Sequence, residues 1–352
     1  MPGHSDVGVL GVDIGGTKVA LRAEPVDGAV EAGATTDGAV EAGTTTDGPV
    51  EAGTTAGRAP EDGATAGGAA RNGATGQAYE RVLTWPGGGV EADVAALADA
   101  VDALRAGSGL RFAAVGVAMP GTTDPTGRVS VWPGRPSWAG LPFDATLRRL
   151  FPDSRTAWAD DGDLAALAEA RHAGADDVVY LGVGTGVGGG VVLGGRPLPG
   201  PGRGSPEVGH LVIDLDGPRC DCGRHGCLQA LASGPATLRR ASAARGAEVG
   251  FAELRDGLAS DQPWAHEAVR PAGTALAAAV VSLGELVDPA VAVLGGGFAA
   301  GLPGFVDLVA REAARLARPG RPAPAVRAAA LGGLSSLYGA VALARNLAGA
   351  DG

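Results

Sequence analysis

The chain has 352 residues, 45% of them hydrophobic, which is enough for two ordinary domains or one large one. Its net charge of −11 argues against a nucleic-acid-binding surface. The start, MPGHSDVGVLGVDIGG, lacks the basic and apolar regions of a signal peptide; the longest apolar stretch, Ala275 to Val287, is too short to span a bilayer and contains Glu285, so a cytoplasmic protein without a membrane partner is expected.

In chain order, VGVLGVDIGGTKVALRAE reads as two short strands around a glycine turn. DGAVEAGATT, DGAVEAGTTT and DGPVEAGTTA then follow as tandem decads from Asp27 to Ala56, with decayed copies to about Gly76. One Val per decad cannot offset the entropy of ordering such a stretch, so residues 27–76 are expected to be a disordered insertion. Removing them is expected to leave activity intact.

AYERVLTWP reads as a strand, EADVAALADAVDALRAG as an amphipathic helix and RFAAVGVAMPG as a buried strand. PFDATLRRLF is a short helix, and RTAWADD is a strand running into the helix GDLAALAEARHAG. DVVYLGVGTGVGGGVVLGG is a hairpin with a glycine-rich turn. ASGPATLRRASAARG is a helix, TALAAAVVSLGELVDP a buried helix, AVAVLGGG a strand and SSLYGAVALARNLA a closing helix. Strand–turn–strand units followed by alternating helices and strands argue an α/β fold with two sheets.

All three cysteines lie in CDCGRHGCLQ, at Cys220, Cys222 and Cys227. An odd number of cysteines does not suggest a secreted disulfide framework. Their spacing suits a structural zinc site, which needs a fourth ligand. His210, ten residues upstream of Cys220, is favoured over His225, which is squeezed between Arg224 and Gly226 and lies too near Cys227 to bind with it. A closed Cys3His site leaves no open position for catalysis.

Three glycine turns could hold phosphate through backbone N–H groups. DIGGTK carries Asp13, Gly15, Gly16, Thr17 and Lys18; GVGTGVGGG carries Gly184, Thr185 and Gly186; LGGG carries Gly295, Gly296 and Gly297. Thr17 could donate to the phosphate, and Asp13 could sit near a metal. The second turn joins two strands, so it is not a dinucleotide fingerprint, and no Walker A loop is present.

Taken in order, GVDIGGTKVAL, GVAMPG, ADDGDLAALAE, GVGTGVGGGVV, EVGH, CDCGRHGCLQ and VLGGG resemble the ROK family of sugar kinases and repressors, over residues 8–26 and 78–349. The resemblance implies a two-domain ribonuclease-H-like fold of the hexokinase and actin-like ATPase type, with a cleft between the domains. Residues 1–160, completed by the closing helix at 333–352, would form one domain, and residues 161–332 with the zinc loop the other. It implies ATP bound between the three glycine turns, Mg2+, and Asp161 as general base toward a substrate hydroxyl. Glu207 and His210 would bind sugar hydroxyls, with His210 also on the zinc. A dimer or tetramer is expected.

The sequence departs from the family's usual pattern at the sugar. Asp160 stands where Asn is usual before Asp161, Gln229 where Glu is usual after the last cysteine, and Gly134 where Asn is usual before Trp138. Lys18 is the only lysine and Asn occurs only at Asn72 and Asn346, so GC-rich mutational bias can explain Asp160 and Gly134 but not Gln229. Swapped donors and acceptors suggest a substrate shaped like glucose that is not glucose. A C7-cyclitol of secondary metabolism, of the valienone or valiolone type, is the leading expectation. A glucokinase or N-acylhexosamine kinase is the alternative. Family repressors carry a helix-turn-helix ahead of DIGGT, and with seven residues before Gly8 DNA binding is not expected. A non-catalytic sugar sensor is disfavoured by the retained Asp161 and glycine turns.

Overall fold

The computed structural model describes residues 6–26, 78–132, 135–199 and 204–349. The repeats at 27–76, Gly134 and residues 350–352 lie outside the described residues.

The elements run β1 (Val7–Ile14), β2 (Lys18–Pro25), β3 (Tyr79–Thr84), α1 (Val90–Ser108), β4 (Arg111–Met119), β5 (Thr122–Thr123), β6 (Val129–Val131), α2 (Phe143–Leu150), β7 (Arg155–Asp160) and α3 (Asp161–Ala173). They continue with β8 (Val178–Val183), β9 (Val187–Leu193), β10 (Arg196–Leu198), α4 (Leu228–Ala232), α5 (Gly234–Arg245), α6 (Phe251–Ala259), α7 (Pro263–Val287), β11 (Val291–Gly295), α8 (Gly297–Ala300), α9 (Phe305–Leu316), β12 (Val326–Ala328) and α10 (Ser335–Gly349). The helices read above omit α4, α6, α8 and α9, and they start α7 at Thr274. That helix begins eleven residues earlier and carries Pro271 inside it.

Among the described residues the main strands form two five-stranded sheets, β3-β2-β1-β4-β7 and β10-β9-β8-β11-β12. In each, three antiparallel strands are followed by two parallel ones reached through helices. The halves therefore repeat one topology. β5 and β6 make a small separate hairpin.

β1 shows why the inner strands read as continuous apolar runs. Leu10, Val12 and Ile14 face a core built with α1 and α2. Val9 faces the opposite way, onto Val341 and Ala344 of α10. A strand covered on both faces has no polar side.

The closing helix of each half packs on the other half's sheet. α3 lies against β8 and β9, and α10 lies against β1 and β4. α3 is buried from Gly162 to Ala170, Asp163 and Glu169 included, with Leu164, Ala166 and Leu167 in a core shared with Ala340 and Ala342 of α10. The two helices meet closely at Gly339, where a Cβ would come within 1.9 Å of the Leu164 carbonyl oxygen. No helix among the described residues is long and apolar enough to cross a membrane.

Candidate active site

The turn after β1 is held by side chains from distant parts of the chain. Trp85 donates its indole N–H to the Gly15 carbonyl at 2.9 Å, and its backbone N–H to the Thr17 carbonyl at 3.2 Å. Arg135 donates to the Gly16 carbonyl at 3.0 Å and lies 4.9 Å above the Trp85 ring. Its guanidinium is anchored by an ion pair to Asp93, which is fully buried and also accepts Trp138 Nε1 at 2.8 Å. With these carbonyls turned inward, the outer side of the turn is open: a Cβ on Gly16 would meet nothing within 4 Å. Thr17 and Lys18 are exposed there.

The second turn, Gly184–Gly186, closes with Gly184 N–H on the Gly186 carbonyl at 2.9 Å. The Gly184 carbonyl accepts Gly234 N–H at 2.8 Å, which ties the start of α5 to the turn. The third turn abuts it, since Gly295 pairs with Gly182 in the sheet. Gly296 has φ +85°, and a Cβ there would lie 2.4 Å from the Val183 backbone, so only glycine fits. Added Cβ atoms at Gly184 and Gly297 would again meet open space. Thr185 and Gly186 are exposed. The glycines thus form backbone cradles of the kind that accept phosphate oxygens.

Carboxylates gather where β1, β7 and α3 end or begin. Asp160 caps α3, accepting Gly162 N–H at 3.0 Å. Asp161 follows as the first helical residue and is half-buried. Asp163, buried two residues further on, accepts Ser205 Oγ at 3.4 Å. Asp13 accepts Ser336 Oγ of α10 at 3.3 Å. Burial, then repulsion from Asp161, lifts Asp160 to about 7, with Glu207 adding to the rise. Burial, then Asp160, lifts Asp163 to about 8, with Asp161 and Glu207 contributing further. Burial, then Asp161, lifts Asp13 to about 6. Asp161 is raised as well, chiefly by burial, against the N–H groups at the helix start that favour its ionised form.

Glu207 reaches this group from a strained backbone at φ +50°, just before the 3-10 turn Val208–His210. His210 lies three residues on and joins Cys220, Cys222 and Cys227, with all four donor atoms within 4.8 Å of one another. Cys222 and Cys227 Sγ are 3.6 Å apart, and Cys220 Sγ is 3.7 Å from His210 Nδ1. Tetrahedral zinc places its sulfur ligands about 3.8 Å apart, so the donor set fits Zn2+. His225 is turned away, with Nδ1 3.2 Å from the Gly217 carbonyl. The loop is pinned at its base, where Leu228 N–H meets the Leu211 carbonyl at 2.8 Å and Ile213 N–H meets the Gly226 carbonyl at 2.8 Å.

Gln229 lies against the cysteine loop, with Nε2 3.6 Å from Cys220 Sγ. Sequence reasoning missed Asp163, Trp85, Asp93 and Arg135. Asp163 carried a usable signal, a third acid in the first turn of the helix that begins at Asp161. The other three carried none, because their partners are far away in the chain.

Residues 79–347 match the ROK family. The chain is 55% identical over 254 residues to a kanosamine kinase of Amycolatopsis mediterranei (strain S699), covering 72% of this chain and 84% of that protein. It is 36% identical over 172 residues to an N-acetylmannosamine kinase of Escherichia coli O157:H7, covering 47% of this chain and 58% of that protein. Among solved structures, a ROK hexokinase from Thermus thermophilus superposes with a TM-score of 0.76 at 31% identity, over 98% of this chain and 100% of that one. A ROK family glucokinase from Streptomyces griseus, in complex with glucose and AMPPNP, superposes with a TM-score of 0.68 at 25% identity, over 96% and 99%. The fold is therefore the ribonuclease-H-like, actin-like ATPase fold of these kinases.

Proposed function

This chain belongs to the ROK family and is an ATP-dependent sugar phosphotransferase, and we propose that its acceptor is an aminohexose of the kanosamine class, phosphorylated on its primary hydroxyl. The observation that carries this reading is Asp160. Of the two departures among the described residues, Asp160 and Gln229, it is the one placed among the carboxylates. Asp160, Asp161, Asp163 and Glu207 repel one another, and a protonated amine on the sugar would relieve that repulsion. The 55% identical kanosamine kinase supports the same substrate class. A C7-cyclitol of secondary metabolism fits the altered positions but brings no cation to Asp160. A glucokinase would bring none either.

In this reading the Asp161 carboxylate takes the proton from the primary hydroxyl as its oxygen forms a bond to the γ-phosphorus. The bond between that phosphorus and the β–γ bridging oxygen breaks, and ADP leaves. Asp160 and Glu207 orient the sugar, and His210 faces it from the metal loop. The backbone N–H groups of Gly15, Gly16, Gly184, Gly186, Gly296 and Gly297 hold phosphate oxygens, with Thr17, Lys18 and Thr185 at their rim. Asp13 is the carboxylate that would hold Mg2+, whose charge offsets that of the phosphates. The domains are residues 1–160 with 333–352, and 161–332; the packing of α10 on β1 and β4 supports this division. The assembly is a dimer or tetramer.

A coupled ADP-release assay tests the substrate, with kanosamine, glucosamine, glucose, N-acetylmannosamine and valienone as acceptors. Kanosamine is expected to give the highest kcat/KM. Asp160→Asn is expected to lower it by roughly 10–100-fold while glucose changes little, as removal of a charged hydrogen bond does. Higher turnover of the cyclitol than of kanosamine would overturn the aminohexose reading.

A further inference from the structure

Gln229 was expected to touch the sugar, because the family usually has Glu there. Its amide lies in a slot between three backbone segments. Nε2 points at Cys220 Sγ, 3.6 Å away. Oε1 points toward the second glycine turn and the turn that carries His210. A Cβ on Gly186 would lie 3.3 Å from Oε1, and one on Gly209 would lie 3.5 Å from it. Gly209 is in turn packed on β9, where a Cβ would strike the Val187 carbonyl oxygen at 1.8 Å. One planar amide therefore lies between the cysteine loop, the glycine turn and the His210 turn.

The chemistry of the pair explains why an amide stands here. Three thiolates and one neutral imidazole around Zn2+ leave a net charge of −1. An N–H donor to one thiolate disperses that charge. An ionised Glu has no donor to offer and would set a second negative charge against the sulfur. The change from Glu to Gln is the one departure that nucleotide bias does not explain, and it turns an acceptor-only side chain into a donor.

We infer that Gln229 is a positioning residue, donating its amide N–H to the Cys220 thiolate and bracing the metal loop against the Gly186 and Gly209 backbone, and that it does not bind the sugar. This inference rests on the cluster's fit to zinc, and not on the identity of the sugar.

The test loads the full-length protein with Zn2+ or Co2+ and compares Gln229→Glu with Gln229→Met. Methionine matches the length of glutamine and has no donor, and it serves if the charged variant does not fold. Two readouts do not depend on turnover: the rate of Zn2+ transfer to a chromophoric chelator, and the thiolate-to-cobalt charge-transfer band. Both variants are expected to release zinc faster, by roughly 10–100-fold, as loss of an outer-shell partner does. Both are expected to shift the cobalt band to lower energy, because a thiolate without its donor is more electron-rich. The acceptor KM of Gln229→Met is expected to stay within about threefold of the parent's, and a larger rise overturns the claim that the residue does not bind sugar. An unchanged release rate together with an unchanged cobalt band overturns the assignment whatever the kinetics.

Discussion

In the first half of the chain, the turn after β1 is held by side chains: Trp85 and Arg135 bind its carbonyls, and buried Asp93 anchors Arg135. In the second half, the corresponding turn after β8 is held by backbone. Gly234 N–H binds Gly184, and Gly296 presses on Val183 with no Cβ between them. The second half also carries the Cys/His loop between β10 and α4, for which the first half has no counterpart among the described residues. One strand order thus permits two ways of making a glycine turn rigid. Side-chain bracing couples a turn to distant loops, whereas glycine contact couples it to the neighbouring strand.

The largest effect is expected where the halves meet. Asp161 stands at the junction of β7, in the first sheet, and α3, which packs on the second. Asp161→Asn is expected to lower kcat by roughly 100- to 10,000-fold, as removal of a general base does, with acceptor binding retained by calorimetry. Near-parental turnover would remove Asp161 from the chemistry.

The two modes of bracing should separate in kinetics. Arg135→Ala loosens the first turn and is expected to raise the nucleotide KM by roughly tenfold while changing the acceptor KM little. A chelator, which would remove a metal held by the Cys/His cluster and so free the His210 turn and Glu207, is expected to raise the acceptor KM by roughly tenfold or more instead. Equal effects of both treatments on both constants would show that the halves are not braced independently.

The smallest effect concerns stability. Asp163 is lifted to about 8, so the folded chain keeps a proton that the unfolded chain has lost above about pH 4. The unfolded state binds fewer protons in that window, so this group lowers stability as pH rises from about 4 toward 8. Asp163→Asn keeps the acceptor for Ser205 and removes the charge. It is expected to raise the melting temperature of the ligand-free protein at pH 8, by on the order of 2 kcal/mol in stability, since one pKa unit is about 1.4 kcal/mol. The gain should shrink toward pH 5; an equal gain at both pH values would mean that Asp163 does not titrate in this window.

Much of the architecture was legible because it is local. The strand–turn–strand units, the helix beginning at Asp161 and the Cys220, Cys222 and Cys227 spacing all lie within short windows of sequence. The quoted α7 segment is eleven residues short at its start; Pro271 inside the helix removes one backbone donor, and the buried residues on either side hold the helix through it. The direction of the Gln229 side chain was not legible, because resemblance transfers a position and not where its amide points, here at Cys220 Sγ.

By itself the sequence determined the α/β class, the three glycine turns, the cysteine spacing of the Cys/His cluster and the first carboxylates of the candidate site, since each is written in neighbouring residues. Only the tertiary structure decided which residues brace those turns and which carboxylates crowd one another. Trp85 meets Gly15 across 70 positions, Arg135 meets Gly16 across 119, and Ser205 meets Asp163 across 42. Contacts at such separations leave no periodic trace in the chain, because they form only once the two sheets and the packed helices α3 and α10 have brought the segments together.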